Sequence, residues 1–219
     1  ALPKSLTSLS IDLSRTENTR VSFIPHSVTD LELILSITED NDNIEDKYDV
    51  IKLLPPHLTQ LRLSVDTGSF YDAPISEPMK LLGAHLPHLM QLSYDTMKCG
   101  VVDDLSWTLL CPTLRTLQIS CAMLQPSADY FGLPPGSPSN LTALTLGPQV
   151  PMISGFAPHA KFFPAVGLTA LELDSANTND VNVLTMLPST LKEFTFAGED
   201  KPWRVEDVLE LLAAKKLPC

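Results

Sequence analysis

Apolar residues recur along the chain in one phrase, Leu-x-x-Leu-x-Leu, with other apolar residues standing in at some positions. Eight copies are legible: Leu6/Leu9/Ile11, Val28/Leu31/Leu33, Leu58/Leu61/Leu63, Leu89/Leu92/Tyr94, Leu114/Leu117/Ile119, Leu141/Leu144/Leu146, Leu168/Leu171/Leu173 and Leu191/Phe194/Phe196. Their first positions lie 22, 30, 31, 25, 27, 27 and 23 residues apart. Within each copy the last two apolar residues alternate with polar ones, the period of a short half-buried strand. The phrase therefore predicts strands near 6–12, 28–34, 58–64, 89–95, 114–120, 141–147, 168–174 and 191–197. In the seventh copy Leu171 and Leu173 point inward, Ala170, Glu172 and Asp174 point outward, and Leu168 enters the core from the preceding bend. One such strand cannot bury its own leucines. Stacked neighbours bury them together, which calls for a parallel sheet.

A proline precedes every copy: Pro3, Pro25, Pro55, Pro87, Pro112, Pro138, Pro164 and Pro188. Proline cannot donate to a ladder and belongs just outside a central strand. Between strands the chain must return. Residues 76–85 predict a helix with Ser76 as N-cap and Pro78 in its first turn. Residues 180–187 are amphipathic, and a C-terminal helix is predicted over about 203–215, with Val205, Val208, Leu209 and Leu212 on one face. The return around Leu133-Pro-Pro-Gly-Ser-Pro138 cannot be a regular helix.

Eight registered copies resemble the leucine-rich-repeat proteins, whose period is about 20–29 residues. The resemblance covers nearly the whole chain. It implies an α/β fold: a right-handed solenoid, or horseshoe, forming a single domain over 1–219. A curved parallel sheet would line its concave face, with short helices, 3₁₀ turns or extended returns on the convex face. The variant here is proline-led, as in Ile24-Pro-His-Ser-Val-Thr-Asp-Leu31 and Leu54-Pro-Pro-His-Leu-Thr-Gln-Leu61, and is similar to repeats common in protists. Cys111-Pro-Thr-Leu-Arg-Thr-Leu-Gln-Ile-Ser-Cys121 is similar to the cysteine-containing repeats of F-box leucine-rich-repeat proteins, although no F-box is visible. One departure stands out. Most such families place Asn eight residues after the first Leu to bond the turn backbone. Here Ser14, Ser36, Asp66, Met97, Ala122, Gln149, Ala176 and Glu199 occupy those positions. The turns must be satisfied by other means.

Charge and cysteine usage narrow the partner class. A formal charge of −11 argues against nucleic acid, which needs clustered Lys and Arg. Cys99, Cys111, Cys121 and Cys219 form no CxxC pair and no terminal cluster, which favours a cytoplasmic over a secreted location. Asn140-Leu141-Thr142 is a glycosylation sequon at a strand entry. No stretch has the apolar length of a membrane span, and no signal peptide is visible. The chain opens on Ala-Leu-Pro and closes on Leu217-Pro218-Cys219, which reads as a further repeat beginning, so a piece of a longer array, or a processed form, is expected.

The resemblance places binding on the concave sheet. Of 24 outward positions, seven are acids and one is basic, against about three acids expected from 26 in 219 residues. The candidate binding residues are Asp12, Asp30, Glu32, Gln60, Arg62, Gln91, Asp95, Gln118, Glu172, Asp174 and Glu193. The acids gather at the two ends, and the neutral middle includes Ser64, Ser120 and Gly147. Such a face suits a basic protein segment. Two insertions interrupt the period, at 38–49 and 64–75. The first is acidic (Asp40, Asp42, Glu45, Asp46), but Ile44 and the missing Gly break calcium-loop spacing, so a solvated loop is expected. His85, His88 and Cys99 lack the four regular ligands of a structural zinc site. Thr7, Thr29, Thr59, Thr142 and Thr169 share one position, as stiff β-branched residues at strand starts do. Walker, GxSxG, HExxH and GxGxxG motifs are absent. The expectation is a non-catalytic protein-binding module with no cofactor and no metal. Its alternatives are the substrate-recognition part of a ubiquitin ligase, a secreted or surface recognition module, and a structural segment of a larger assembly.

Overall fold

The structure is a computed structural model that describes residues 2–14, 23–36, 49–66, 76–96, 101–102, 111–120, 123–124, 140–147, 167–174, 188–197 and 213. Among these the strands are β1 (Ser8–Asp12), β2 (Asp30–Ser36), β3 (Gln60–Asp66), β4 (Gln91–Thr96), β5 (Val101–Val102), β6 (Thr116–Ser120), β7 (Met123–Leu124), β8 (Ala143–Leu146), β9 (Ala170–Asp174) and β10 (Glu193–Ala197). Two helices are described, α1 (Asp49–Lys52) and α2 (Ser76–His85). Eight strands form one parallel sheet in the order β1-β2-β3-β4-β6-β8-β9-β10. Each strand therefore pairs with the copies before and after it, and the chain climbs by one repeat per strand. That is an open α/β solenoid of the leucine-rich-repeat, horseshoe type.

The pairing is a pure translation of the phrase. Leu9, Leu31, Leu61, Leu92, Leu117, Leu144, Leu171 and Phe194 stand opposite one another from strand to strand. Two residues on, Ile11, Leu33, Leu63, Tyr94, Ile119, Leu146, Leu173 and Phe196 do the same. Behind them Val28, Leu58, Leu89, Leu114, Leu141, Leu168 and Leu191 are buried from the preceding bend. Full burial of such a side chain contributes about 1.5–3 kcal/mol. The second of these rows accepts Tyr94, which is fully buried. Burial weakens at the sheet edges. Leu6, Leu9 and Ile11 on the β1 side and Phe194 on β10 are only partly buried, because an edge strand has a neighbour on one side.

The prolines belong to a recurrent turn. The amide of the first apolar residue donates to the carbonyl three residues back: Leu6 to Pro3, Val28 to Pro25, Leu58 to Pro55, Leu89 to Leu86, Leu114 to Cys111 and Leu191 to Pro188. Pro3, Pro25, Pro55 and Pro188 open the turn and supply its acceptor, whereas Pro87 and Pro112 take its second position. Neither place needs a proline N–H, and the second exploits the fixed φ of proline.

The return expected at 76–85 is helix α2. Helix α1 is an element the periodicity did not signal, and it packs near α2. The small parallel pair of β5 and β7 is likewise additional. β3 runs to Asp66, so the second interruption of the repeat begins after the strand rather than at residue 64. The calcium reading at 40–46, the helical reading at 180–187, and the helix expected over 203–215, apart from helical Ala213, lie outside the described residues.

Candidate functional site

The outward residues form three rows across the sheet. The first row is Ser8, Asp30, Gln60, Gln91, Thr116, Ala143, Ala170 and Glu193. The second is Ser10, Glu32, Arg62, Ser93, Gln118, Thr145, Glu172 and Thr195. The third runs Asp12, Ile34, Ser64, Asp95 and Ser120, with Asp174 opposite Ala197 at the far end. All eleven candidate residues thus fall on one face. Asp12, Asp30 and Glu32 lie on adjacent strands at one end, and Glu172, Asp174 and Glu193 at the other. With strands about 4.8 Å apart, β2 and β9 are separated by about 24 Å along the sheet.

Local contacts hold several of these acids. Asp12 Oδ1 accepts from the Ser14 amide at 2.9 Å and the Ser14 hydroxyl at 2.6 Å. The Ser8 hydroxyl donates to Asp30 Oδ2 at 3.4 Å, and that of Thr145 to Glu172 Oε2 at 3.4 Å. Arg62 is exposed and stands opposite Glu32 in the register. Gln91, Gln118 and Glu193 are exposed, and Gln60 is half-buried. Asp95 lies in the centre, half-buried between Ser64 and Ser120. Partial loss of water raises its carboxyl pKa above the usual carboxylate value.

One outward position differs from expectation. Gly147 is buried, not solvent-facing. Its amide continues the ladder onto the Ile119 carbonyl at 2.8 Å. A Cβ there would lie 2.9 Å from Ser120 Oγ and 3.3 Å from Ser120 Cα, so the strands approach closely where no side chain intervenes.

The missing asparagine ladder has a replacement at the other end of the strands. The carbonyl of the residue after the first apolar position accepts two backbone amides from the next repeat. Thr7 accepts from Thr29 and Asp30, Thr29 from Thr59 and Gln60, and Thr59 from Met90 and Gln91. The series continues through Met90, Arg115, Thr142 and Thr169 to Lys192 and Glu193. Threonine hydroxyls reinforce it. Those of Thr59, Thr142 and Thr169 each donate at 3.1 Å to the equivalent carbonyl one repeat back, at Thr29, Arg115 and Thr142. The residue before the first apolar position adds a second set: Ser27 to Leu6 O, Thr113 to Pro87 O and Leu89 O, Asn140 to Pro112 O, and Thr190 to Leu168 O. The shared threonines serve the backbone, beyond their β-branched stiffness.

Both sets are interrupted in the middle repeats. Met90 and Arg115 replace threonine, and His57 and His88 replace the short polar residue. The two imidazoles stack, with centroids 6.0 Å apart and planes 24° from parallel. They line an open groove of about 390 Å³ with Met90, Pro112, Thr113 and Arg115. The outward-facing rows do not include this groove. Its signal in the sequence was the break in the threonine series. His85 is engaged elsewhere, its Nε2 lying 3.2 Å from Leu54 O, so His85 and His88 do not converge. Among the described residues no group of three or more metal-ligating side chains gathers, and no helix is long and apolar enough to cross a membrane.

No protein-family model matches the chain, and no curated protein does. Among solved structures the chain is similar to the crystal structure of the leucine-rich repeat domain of APL1B, at 16% identity and a TM-score of 0.40. That match covers 88% of this chain and 53% of the other, so the chain spans about half the length of that domain.

Proposed function

We propose that the protein is a non-catalytic interaction module whose concave sheet face takes a basic segment of a partner protein. The observation that carries this reading is the placement of Asp12, Asp30, Glu32, Asp95, Glu172, Asp174 and Glu193 in three registered rows of one face, with Arg62 the single cation among them. The rows keep side chains parallel and evenly spaced. Such a surface recognises an extended chain by charge and lacks the convergent geometry that proton transfer or nucleophilic attack requires. The two acidic ends lie about 24 Å apart along the sheet, within reach of one extended segment of about ten residues.

The test uses a fluorescein-labelled Lys/Arg-rich peptide of about ten residues. Anisotropy should show saturable binding that weakens as salt rises. Reversal of Glu172, Asp174 and Glu193 to Lys should weaken binding by at least about tenfold, the scale of a 1.4 kcal/mol loss. Unchanged binding to the reversed protein overturns the assignment.

A further inference from the structure

We infer that the groove at the strand-entry edge, built on His57, His88, Met90 and Arg115, is a second docking site, which takes a peptide segment carrying a carboxylate beside an apolar side chain. The first argument is the broken ladder. At Thr29, Thr59, Thr142 and Thr169 the side chain after the first apolar residue is turned onto a backbone carbonyl of the preceding repeat. Met90 and Arg115 occupy that position in consecutive repeats; Met90 has no donor, and the Arg115 guanidinium makes no such bond among the described residues. Their side chains are exposed, Met90 at 45%. The backbone beneath is nevertheless intact, since Arg115 and Thr116 amides still bond the Met90 carbonyl at 2.8 and 3.1 Å. The substitutions therefore leave the scaffold unchanged and alter only what the edge presents.

The second argument is the company these side chains keep. The preceding position, which in four other repeats holds Ser27, Thr113, Asn140 or Thr190 bonded to backbone, holds His57 and His88 in two of the three repeats that line the groove. Their rings stack on each other and neither has a hydrogen-bond partner among the described residues. The charged and titratable groups lining the groove are His57, His88 and Arg115, and none of its lining residues is an acid. In a chain of net charge −11 this is a local reversal of sign. A guanidinium presents a planar fork that fits a carboxylate bidentately. A polarisable Met side chain and two imidazole faces accept an apolar neighbour. The adjoining outward residues Gln60, Gln91 and Thr116 are neutral, so an approaching acid meets no repulsion there.

The probe is a fluorescein-labelled peptide of alternating Glu and Leu, compared with matched Gln/Leu and Lys/Leu peptides. The expected result is saturable binding of the acidic peptide and none of the Gln/Leu peptide, while binding of the Lys/Leu peptide is insensitive to Arg115→Glu and is weakened by reversal of Glu172, Asp174 and Glu193, as the acidic sheet face requires. Arg115→Glu should weaken binding of the acidic peptide by about tenfold or more, and His57→Ala combined with His88→Ala, which removes the stacked rings that line the groove, should weaken it as well. All three residues are exposed, and a circular-dichroism melt confirms folding of each variant. Reversal of Glu172, Asp174 and Glu193 should leave this binding in place, which separates the site from the acidic sheet face. No saturable binding, equal binding of the Gln/Leu peptide, or full affinity in Arg115→Glu overturns the assignment.

Discussion

Asp95 is the residue at which the proposed binding face and the stability of the fold oppose each other. It stands between Ser64 and Ser120 on the central strand and loses part of its hydration, which raises its pKa. A carboxyl whose folded pKa exceeds its unfolded one contributes stability that is complete below the unfolded pKa and is lost as pH rises through the folded pKa. At neutral pH the ionised group therefore disfavours folding. Asp95→Asn is expected to raise Tm while weakening capture of the basic peptide; a lower Tm would show that the carboxylate is stabilised by contacts rather than strained by desolvation. Cys111 illustrates the same sign at alkaline pH. Its thiol is buried, and burial pushes its pKa from about 9 to about 11. Stability from this group is complete below about pH 9 and falls between pH 9 and 11, by up to about 2–3 kcal/mol at 1.36 kcal/mol per unit. Urea titrations across that interval should show the decline, and Cys111→Ala should flatten it. A variant with the same alkaline slope would assign the decline to other groups.

The strand-entry turn and its polar spine are the element that holds successive repeats in register. Thr113 gives the sharpest test, because its hydroxyl lies 2.9 Å from Pro87 O and 2.8 Å from Leu89 O. Thr113→Val keeps the shape and removes the donor, so it should cost about 0.5–1.5 kcal/mol in urea unfolding. Thr7→Val is the control: Thr7 is exposed beside β1, the end strand of the sheet among the described residues, and its loss should be near neutral. Equal costs would mean that β-propensity, not the hydroxyl bond, selects these residues. The strands and their inward rows were legible in the sequence because a period of two fixes which side chains share a face, as Leu33, Leu63 and Tyr94 show. The spine was not legible in the same way. A repeated threonine marks a position, but the carbonyl it meets lies 27 or 30 residues back in the chain. The same holds for the groove: His57 and His88 become neighbours only through stacking, and pattern alone signalled the break without its geometry. Gly147 departs from the expected outward exposure because alternation assigns a face and says nothing of how closely two strands approach.

Over the whole molecule, stability is the sum of repeat terms and interfaces between neighbours, since each strand touches only the two beside it. The consequence is a gradient from centre to edge. Leu63 is 1% exposed and flanked in register by Leu33 and Tyr94, so its side chain closes two inter-repeat interfaces. Ile11 occupies the same row on β1, is half-buried, and has only Leu33 beside it. Truncation in the centre leaves a cavity that both neighbours hold open, whereas truncation at the edge exposes a surface that was already partly wet. Leu63→Ala should therefore cost about 2–5 kcal/mol, the range for a well-packed core leucine, and Ile11→Ala about half as much or less. The two should differ in kind as well. A central defect weakens the coupling between the β1–β2 side and the β4–β10 side, so the urea transition should broaden with a lower m value. An edge defect frays β1 and leaves the main transition sharp. Equal costs, or unchanged m in Leu63→Ala, would mean that the sheet unfolds as one indivisible unit, with interfaces between repeats too strong for the nearest-neighbour description.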